Sequence, residues 1–398
     1  MYALDCWRRT ATIDERAVSV PVTVAVPARF DFIGGWTDTP PYFFDNVSGV
    51  LNATLVLADD PGATIRSAIP GAAITVRIRP SEQTAITENG IRLSDISSHL
   101  VLARTFEFLS LKSPGIAIDI TNSIPHGSGL GGSSLLTASL LAAVIAYYRG
   151  IEYLRAHLGE LVNNVLFIEQ MMESGGGWQD QIGGLFPGVK LIAANPENPC
   201  SYTIGYLDRG IVLLNERSLV IDTRVQRKAA RILASIRQKY VDRDPRTVRM
   251  LAAIAENARV GFQLLADLDI RSFAELLSDT WTMVNEVESG SIETVERLRS
   301  LCGNDLTGMK IGGAGGGGFI LAIFDDCGRK KFHRRLIRDA FPDCIVYDPV
   351  FGGEGMAVYS GDPGAESAHQ FFRTSRMPIL PCTVHGDVRP CDSGNEYP

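Results

Sequence analysis

This chain lacks most of the features that mark a specialised environment. Its seven cysteines, Cys6, Cys200, Cys302, Cys327, Cys344, Cys382 and Cys391, are scattered, odd in number and free of any Cys-x-x-Cys pair. That pattern argues against a disulfide framework or a zinc site and suits a reducing cytoplasm. No stretch approaches about 18 uninterrupted apolar residues, and Met1 to Arg9 has no basic flank leading into an apolar run. Neither a membrane span nor a secretion signal is therefore expected. Basic charge is also short, with 38 Lys and Arg against 45 Asp and Glu and a formal net charge of −7. A nucleic-acid binder relying on a broad basic surface is disfavoured. The six histidines form no metal-like cluster, and no Gly-Lys-Ser or Gly-Lys-Thr follows any glycine run, which removes a Walker A loop.

Glycine is what the chain has in excess, 39 of 398 residues, or about 10% against a usual ~7%. The excess clusters in three places, so it reads as loop chemistry. At this length two domains are a better expectation than one. Strand patterns run from Pro21 to Phe32, over Val50–Leu57, Ala73–Ile78 and Ile116–Ile120, near Ile211–Leu214, and over Phe319–Phe324 and Ala357–Tyr359. Helical patterns cover Ile96–Leu111, Ser133–Tyr148, Glu152–Ser174, Arg224–Lys239, Arg246–Leu268, Ser272–Val287, Ile292–Leu301 and Lys330–Phe341. Ser133–Tyr148 is apolar on nearly all sides, as a buried helix would be. Strands and helices mix without strict βαβ alternation, which favours α+β over a doubly wound sheet. From Gly361 onward Pro, Ser, Gly and charged residues dominate, and this tail is expected to have low order.

The central glycine loop, Gly127-Ser128-Gly129-Leu130-Gly131-Gly132-Ser133-Ser134, joins a strand to a helix. Glycines there allow close approach and positive φ, and the helix start aims free N–H groups and a positive dipole end at the loop; phosphate is the natural guest. The formal Gly127-x-Gly129-x-x-Gly132 match raises a dinucleotide fold and with it an NAD-dependent oxidoreductase. Pro125-His126 interrupts the required strand, however, and Glu152 falls at a helix start rather than at the end of a second strand.

Pro125 to Ser134 closely resembles the phosphate-binding motif of the GHMP kinases. Two further stretches resemble that family's other motifs in the right order: Pro27-Ala28-Arg29-Phe30-Asp31-Phe32-Ile33-Gly34-Gly35-Trp36-Thr37-Asp38, and Lys310-Ile311-Gly312-Gly313-Ala314-Gly315-Gly316-Gly317-Gly318-Phe319. The resemblance implies a two-domain α+β fold, with an N-terminal extension at 1–20, an ATP-binding domain at 21–195, a C-terminal domain at 196–360 and a tail at 361–398. Gly34–Tyr42 and Gly175-Gly176-Gly177-Trp178-Gln179-Asp180-Gln181-Ile182-Gly183-Gly184 are most like the kinase domain of L-fucose kinases. Val50–Thr54 and Gly131–Ser134 are closer to heptose 7-phosphate kinases.

What the resemblance implies for chemistry is a transfer of the γ-phosphate of ATP to the anomeric hydroxyl of a monosaccharide, first L-fucose or a 6-deoxy relative, second a heptose 7-phosphate. ATP would lie on Pro125, Gly127, Ser128, Gly129, Leu130, Gly131, Gly132, Ser133 and Ser134, with Gly315 and Gly316 from the third motif. Mg²⁺ would be met by Ser133, with Ser134 second, and by Glu169, 11 residues before Asp180. Asp180 would be the catalytic carboxylate, with Arg29 beside it to keep it ionised. Trp36, Thr37, Asp38, Gly177, Gln179 and Arg224 would meet the sugar, and Trp178 is a second candidate for stacking on it. A catalytically silent sugar- and nucleotide-binding regulator is the alternative from another class, and the retained Asp180, Glu169 and Ser133 argue against it. Expected partners are a small sugar or sugar phosphate and ATP, with no nucleic acid and no membrane.

Overall fold

The computed structural model describes residues 20–57, 69, 71–94, 97, 99–111, 115–207, 209–225, 229–313, 315–361 and 368–370. Three sheets organise them. The first is seven-stranded, in the order Ala368–Gln370, Ala357–Ser360, Val22–Val26, Ile74–Pro80, Ile116–Asn122, Ala85–Glu88 and Ile91–Arg92. The second runs Pro349–Phe351, Ser48–Leu57, Val189–Asn195 and Asn198–Tyr206, with Ala28–Ile33 also paired to Ser48–Leu57. The third is Leu306–Ile311, Phe319–Phe324, Ser218–Asp222 and Ile345–Tyr347. All pairings are antiparallel except that of Ala85–Glu88 with Ile116–Asn122. This is the α+β arrangement expected.

The Gly132–Arg149 helix is buried on every side from Ser134 to Tyr148 and packs on the first sheet. Its Ala- and Leu-rich sequence has no polar face to offer water, so it can only sit inside. The main core surrounds it and extends through Phe30, Phe32, Phe273 and Phe351. A second cluster lies under the third sheet around Trp281, Leu298 and Ile337, and a third gathers Trp36, Tyr42, Ile236, Tyr240 and Ile254. The chain closes on itself late: Pro349–Phe351 and Ala357–Ser360 pair with strands from the first 60 residues. The 195/196 boundary falls inside a β-hairpin.

Two sequence expectations give way. Ile211–Leu214 is part of a helix, Ile211–Arg217, rather than a strand. Gly210 starts it in a left-handed conformation, and only Leu214 is fully buried; a four-residue apolar run carries no period that distinguishes the two states. Glu152–Ser174 splits into Ile151–Ala156 and Leu158–Met171, because the chain breaks at His157, whose ring stacks on Tyr153. The start of the Arg224–Lys239 helix lies partly outside the described residues, and Ala229–Val241 is helical. Most of the expected tail, like the N-terminal extension up to residue 19, also lies outside them. No helix among the described residues is long and apolar enough to cross a membrane.

Candidate active site

The loop from Gly127 to Gly132 takes its shape from alternation. Gly127, Gly129 and Gly131 have φ of 72°, 82° and 80°, and such left-handed residues turn successive backbone N–H groups to one concave side, where an anion fits. Gly131 caps the Gly132–Arg149 helix, so that helix's first N–H groups also open onto the loop. A Cβ on Gly131 would stand 3.1 Å from Arg29 Nε. Glycine is thus needed twice at this position, for its φ and for the approach of the guanidinium.

Arg29 is the hub. It sits on Ala28–Ile33, is 3% exposed, and its Nε and Nη2 donate to Asp180 Oδ1 at 3.0 and 2.6 Å. Its Nη1 donates to the Gly129 carbonyl at 2.7 Å and stands 3.5 Å from Asp31 Oδ1. Burial works against the charge, but Asp180 and Asp31 outweigh it and hold the guanidinium above its ordinary pKa.

Around this hub lies a cleft of about 1000 Å³, large enough for a nucleotide and a small second substrate. The glycine loop forms one wall; Asp180, Asp38, Gln179, Gly177 and Trp36 form another; Glu169 lies between them. Ser134 Oγ donates to Glu169 Oε1 at 2.5 Å and stands 3.5 Å from Asp180 Oδ2. Glu169 is 2% exposed and its Oε2 has no partner. Burial, and then the nearby Asp180 carboxylate, push its pKa up to about 8. Asp38 accepts from the backbone N–H and side-chain amide of Gln179, both at 3.2 Å. Burial and Asp180 raise its pKa to about 7.

The residues singled out from sequence divide clearly. Pro125, Gly127, Ser128, Gly129, Gly131, Gly132, Ser133 and Ser134 line the cleft, as do Arg29, Asp180, Glu169, Trp36, Asp38, Gly177 and Gln179. Ser134, the second choice, is the serine that reaches Glu169; Ser133 is exposed, one helical position away. Leu130 is buried beneath the loop. Thr37 is also buried and does not line the cleft, because its hydroxyl donates to the Gly34 carbonyl at 2.7 Å and holds the turn. Trp178 packs on Tyr202 in the core rather than on the cleft, while Trp36 lines it at a φ of 76°. Arg224 is exposed and turned to Asp222 at 3.4 Å, away from the cleft. Gly315 and Gly316 pack against Gly290, so the third motif reaches the cleft through Gly313 instead.

Asp31 and Lys310 form a link to which the sequence reading assigned no role. Lys310 Nζ donates to Asp31 Oδ2 at 2.5 Å and to the carbonyls of Asp31 and Phe32 at 2.8 and 2.9 Å. The Gly313 N–H donates to Asp31 Oδ1 at 2.7 Å. Burial would raise the Asp31 pKa, but Lys310 and Arg29 together hold it below the ordinary carboxylate range. The run Phe30-Asp31-Phe32 carried the signal: a charge between two buried aromatics on a strand requires a partner. Lys310–Asp31–Arg29–Asp180 is therefore one charge chain from the third sheet to the cleft.

Comparison with known proteins shows what the chain resembles. Residues 98–188 match the GHMP kinases N terminal domain. The chain is 31% identical over 340 residues to the bifunctional fucokinase/GDP-fucose pyrophosphorylase of Arabidopsis thaliana, a match that covers 82% of this chain and 32% of that protein. It is 25% identical over 355 residues to the D-glycero-α-D-manno-heptose 7-phosphate kinase of Campylobacter jejuni, covering 84% of this chain and 98% of that one. The chain thus spans about a third of the length of the fucokinase relative. Among solved structures, a D-glycero-D-manno-heptose 1-phosphate kinase from Bacteroides thetaiotaomicron superposes with a TM-score of 0.62 at 19% identity, over 85% of this chain and 98% of that one.

Proposed function

We propose that this chain, a member of the GHMP kinases, is an ATP-dependent sugar kinase that phosphorylates the anomeric hydroxyl of a monosaccharide, with an L-fucose-like sugar first. One observation carries the reading: Asp180, fixed by two hydrogen bonds from Arg29, faces a cleft whose opposite wall is a glycine-rich anion cradle. The cradle from Gly127 to Ser134 would receive the ATP phosphates through its N–H groups. Asp180 would then orient the sugar hydroxyl and accept its proton while the hydroxyl oxygen bonds to the γ-phosphorus and ADP departs. Arg29 keeps that carboxylate aimed. Asp38, Gln179 and Trp36 supply the polar and aromatic surface on which a pyranose would be held.

The donor set also fits Mg²⁺. The unpartnered, buried Oε2 of Glu169 and the Ser134 hydroxyl are hard oxygens beside the phosphate cradle. No group of three or more His, Cys, Asp or Glu that could hold a metal occurs among the described residues, so the cation would share its coordination with substrate phosphates. Bound there, it supplies neutralisation of phosphate charge.

A sugar phosphate is the second reading, favoured by two observations. The Campylobacter relative is matched over nearly its whole length, and Arg231 lines the cleft as a cation able to meet a distal phosphate. A screen of ADP release over free sugars and sugar phosphates decides between the two. Stimulation by no sugar, with turnover of a non-sugar alcohol, would refute both. Asp180→Asn should lower turnover by about 10²–10⁴-fold with ATP affinity kept; near-normal turnover would remove Asp180 from the reaction.

A further inference from the structure

Lys190 is a fully buried lysine whose amino group donates to two main-chain carbonyls, Gly183 O at 2.9 Å and Gly188 O at 3.2 Å, and burial pushes its pKa well below the ordinary lysine value. Among the described residues no carboxylate forms an ion pair with it. A lysine that merely filled the sheet would be better replaced by an apolar residue of its length, since a buried amino group gives up its water shell and is driven to give up its proton as well. Its place therefore calls for a specific role.

The carbonyls at the end of the Gln179–Leu185 helix point to that role. Each helix end leaves carbonyls without partners inside the helix. Here Ile182 O takes the Phe186 N–H at 3.1 Å and Leu185 O takes the Met356 N–H at 2.9 Å. Gly183 O would look to residue 187, which is Pro187 and has no N–H. Pro187 also drives the residue before it out of the helical region, and Phe186 is extended at ψ 141°. The chain thus denies Gly183 O a backbone donor, and the Lys190 amino group supplies one.

The same sheet grips the other end of this helix. Asn52, directly across from Lys190 in the strand register, donates its side-chain amide to Gln179 O at 3.2 Å. Asp180 is the next residue. A Cβ on Gly183 would stand 3.1 Å from the Cβ and Cγ of Arg29, so a shift of this turn would disturb both members of the Arg29–Asp180 pair.

We propose that Lys190 is a positioning residue: by replacing the N–H that Pro187 lacks, it anchors the short helix that aims Asp180. This rests on the kinase reading of Asp180 given above. Lys190→Met keeps side-chain length and removes the donors, while Lys190→Arg keeps donors. For Lys190→Met, kcat should fall about 10²-fold with the KM for ATP essentially unchanged. Amide hydrogen exchange of the segment spanning residues 179–186 should accelerate in the same variant, and Lys190→Arg should recover much of both. Wild-type kcat together with unchanged exchange in Lys190→Met would overturn the proposal, as would a parallel loss of ATP binding. Should Lys190→Met fail to fold, a folded and active Lys190→Arg supports the role, and an unfolded or inactive one overturns it. If wild type turns over no sugar, the kinase reading fails separately, and unchanged exchange in Lys190→Met still refutes the anchoring.

Discussion

Replacing Glu169 by Gln tests how the cleft stores negative charge. In the folded chain without a cation, burial and Asp180 raise the Glu169 pKa from an ordinary 4.5 to about 8. Each unit is worth 1.36 kcal/mol, so the rise corresponds to about 5 kcal/mol of unfavourable ionisation. The sign follows from proton binding. Between pH 4.5 and 8 the unfolded chain has released this proton and the folded chain retains it, so this group's contribution to stability is greatest below 4.5, falls as pH rises, and levels off above about 8. Glu169→Gln never ionises and lacks this slope. The variant should match wild type near pH 4.5 and exceed it by a few kcal/mol at pH 8.5. Urea midpoints at a series of pH values, followed by tryptophan fluorescence, read the difference between the two proteins. Equal pH slopes would refute the reasoning, and so would a variant less stable than wild type at pH 8.5. Mg²⁺ with a nucleotide should raise the wild-type midpoint at high pH and affect Glu169→Gln far less.

Two further outcomes follow from neighbouring groups. Asp38 ionises near pH 7, so if its carboxylate accepts sugar hydroxyls the sugar KM should fall as pH rises from 6 to 8. Asp38→Asn should raise that KM and flatten its pH dependence, and a wild-type KM that does not change with pH would refute this role. Lys310→Met leaves Asp31 buried without its closest cation and should cost about 3–5 kcal/mol, read as a lowered thermal midpoint. An unchanged midpoint would show that Arg29 and the Gly313 N–H suffice.

The glycine motifs were legible because their constraint is local. A left-handed backbone at Gly127, Gly129 and Gly131 can be read from residue type alone, since other side chains rarely adopt it. The wholly apolar Gly132–Arg149 helix was equally plain, because nothing but burial suits it. Ser133 against Ser134 was not decidable in this way. Adjacent helical positions point about 100° apart, and only the packing of the helix says which hydroxyl meets Glu169. Thr37 and Trp178 carry side chains fit for a sugar, yet the turn at Gly34 and the core at Tyr202 absorb them.

The sequence by itself determined the loops, the buried helix and the residue types of the cleft, since these follow from backbone sterics, apolar periodicity and side-chain chemistry over short spans. Tertiary structure decided the pairings. Lys310 meets Asp31 across 279 positions and Arg29 meets Asp180 across 151. Such contacts depend on where separate elements pack, and local physical chemistry carries no record of that. The partners of Asp31 and Arg29 were therefore settled by the fold.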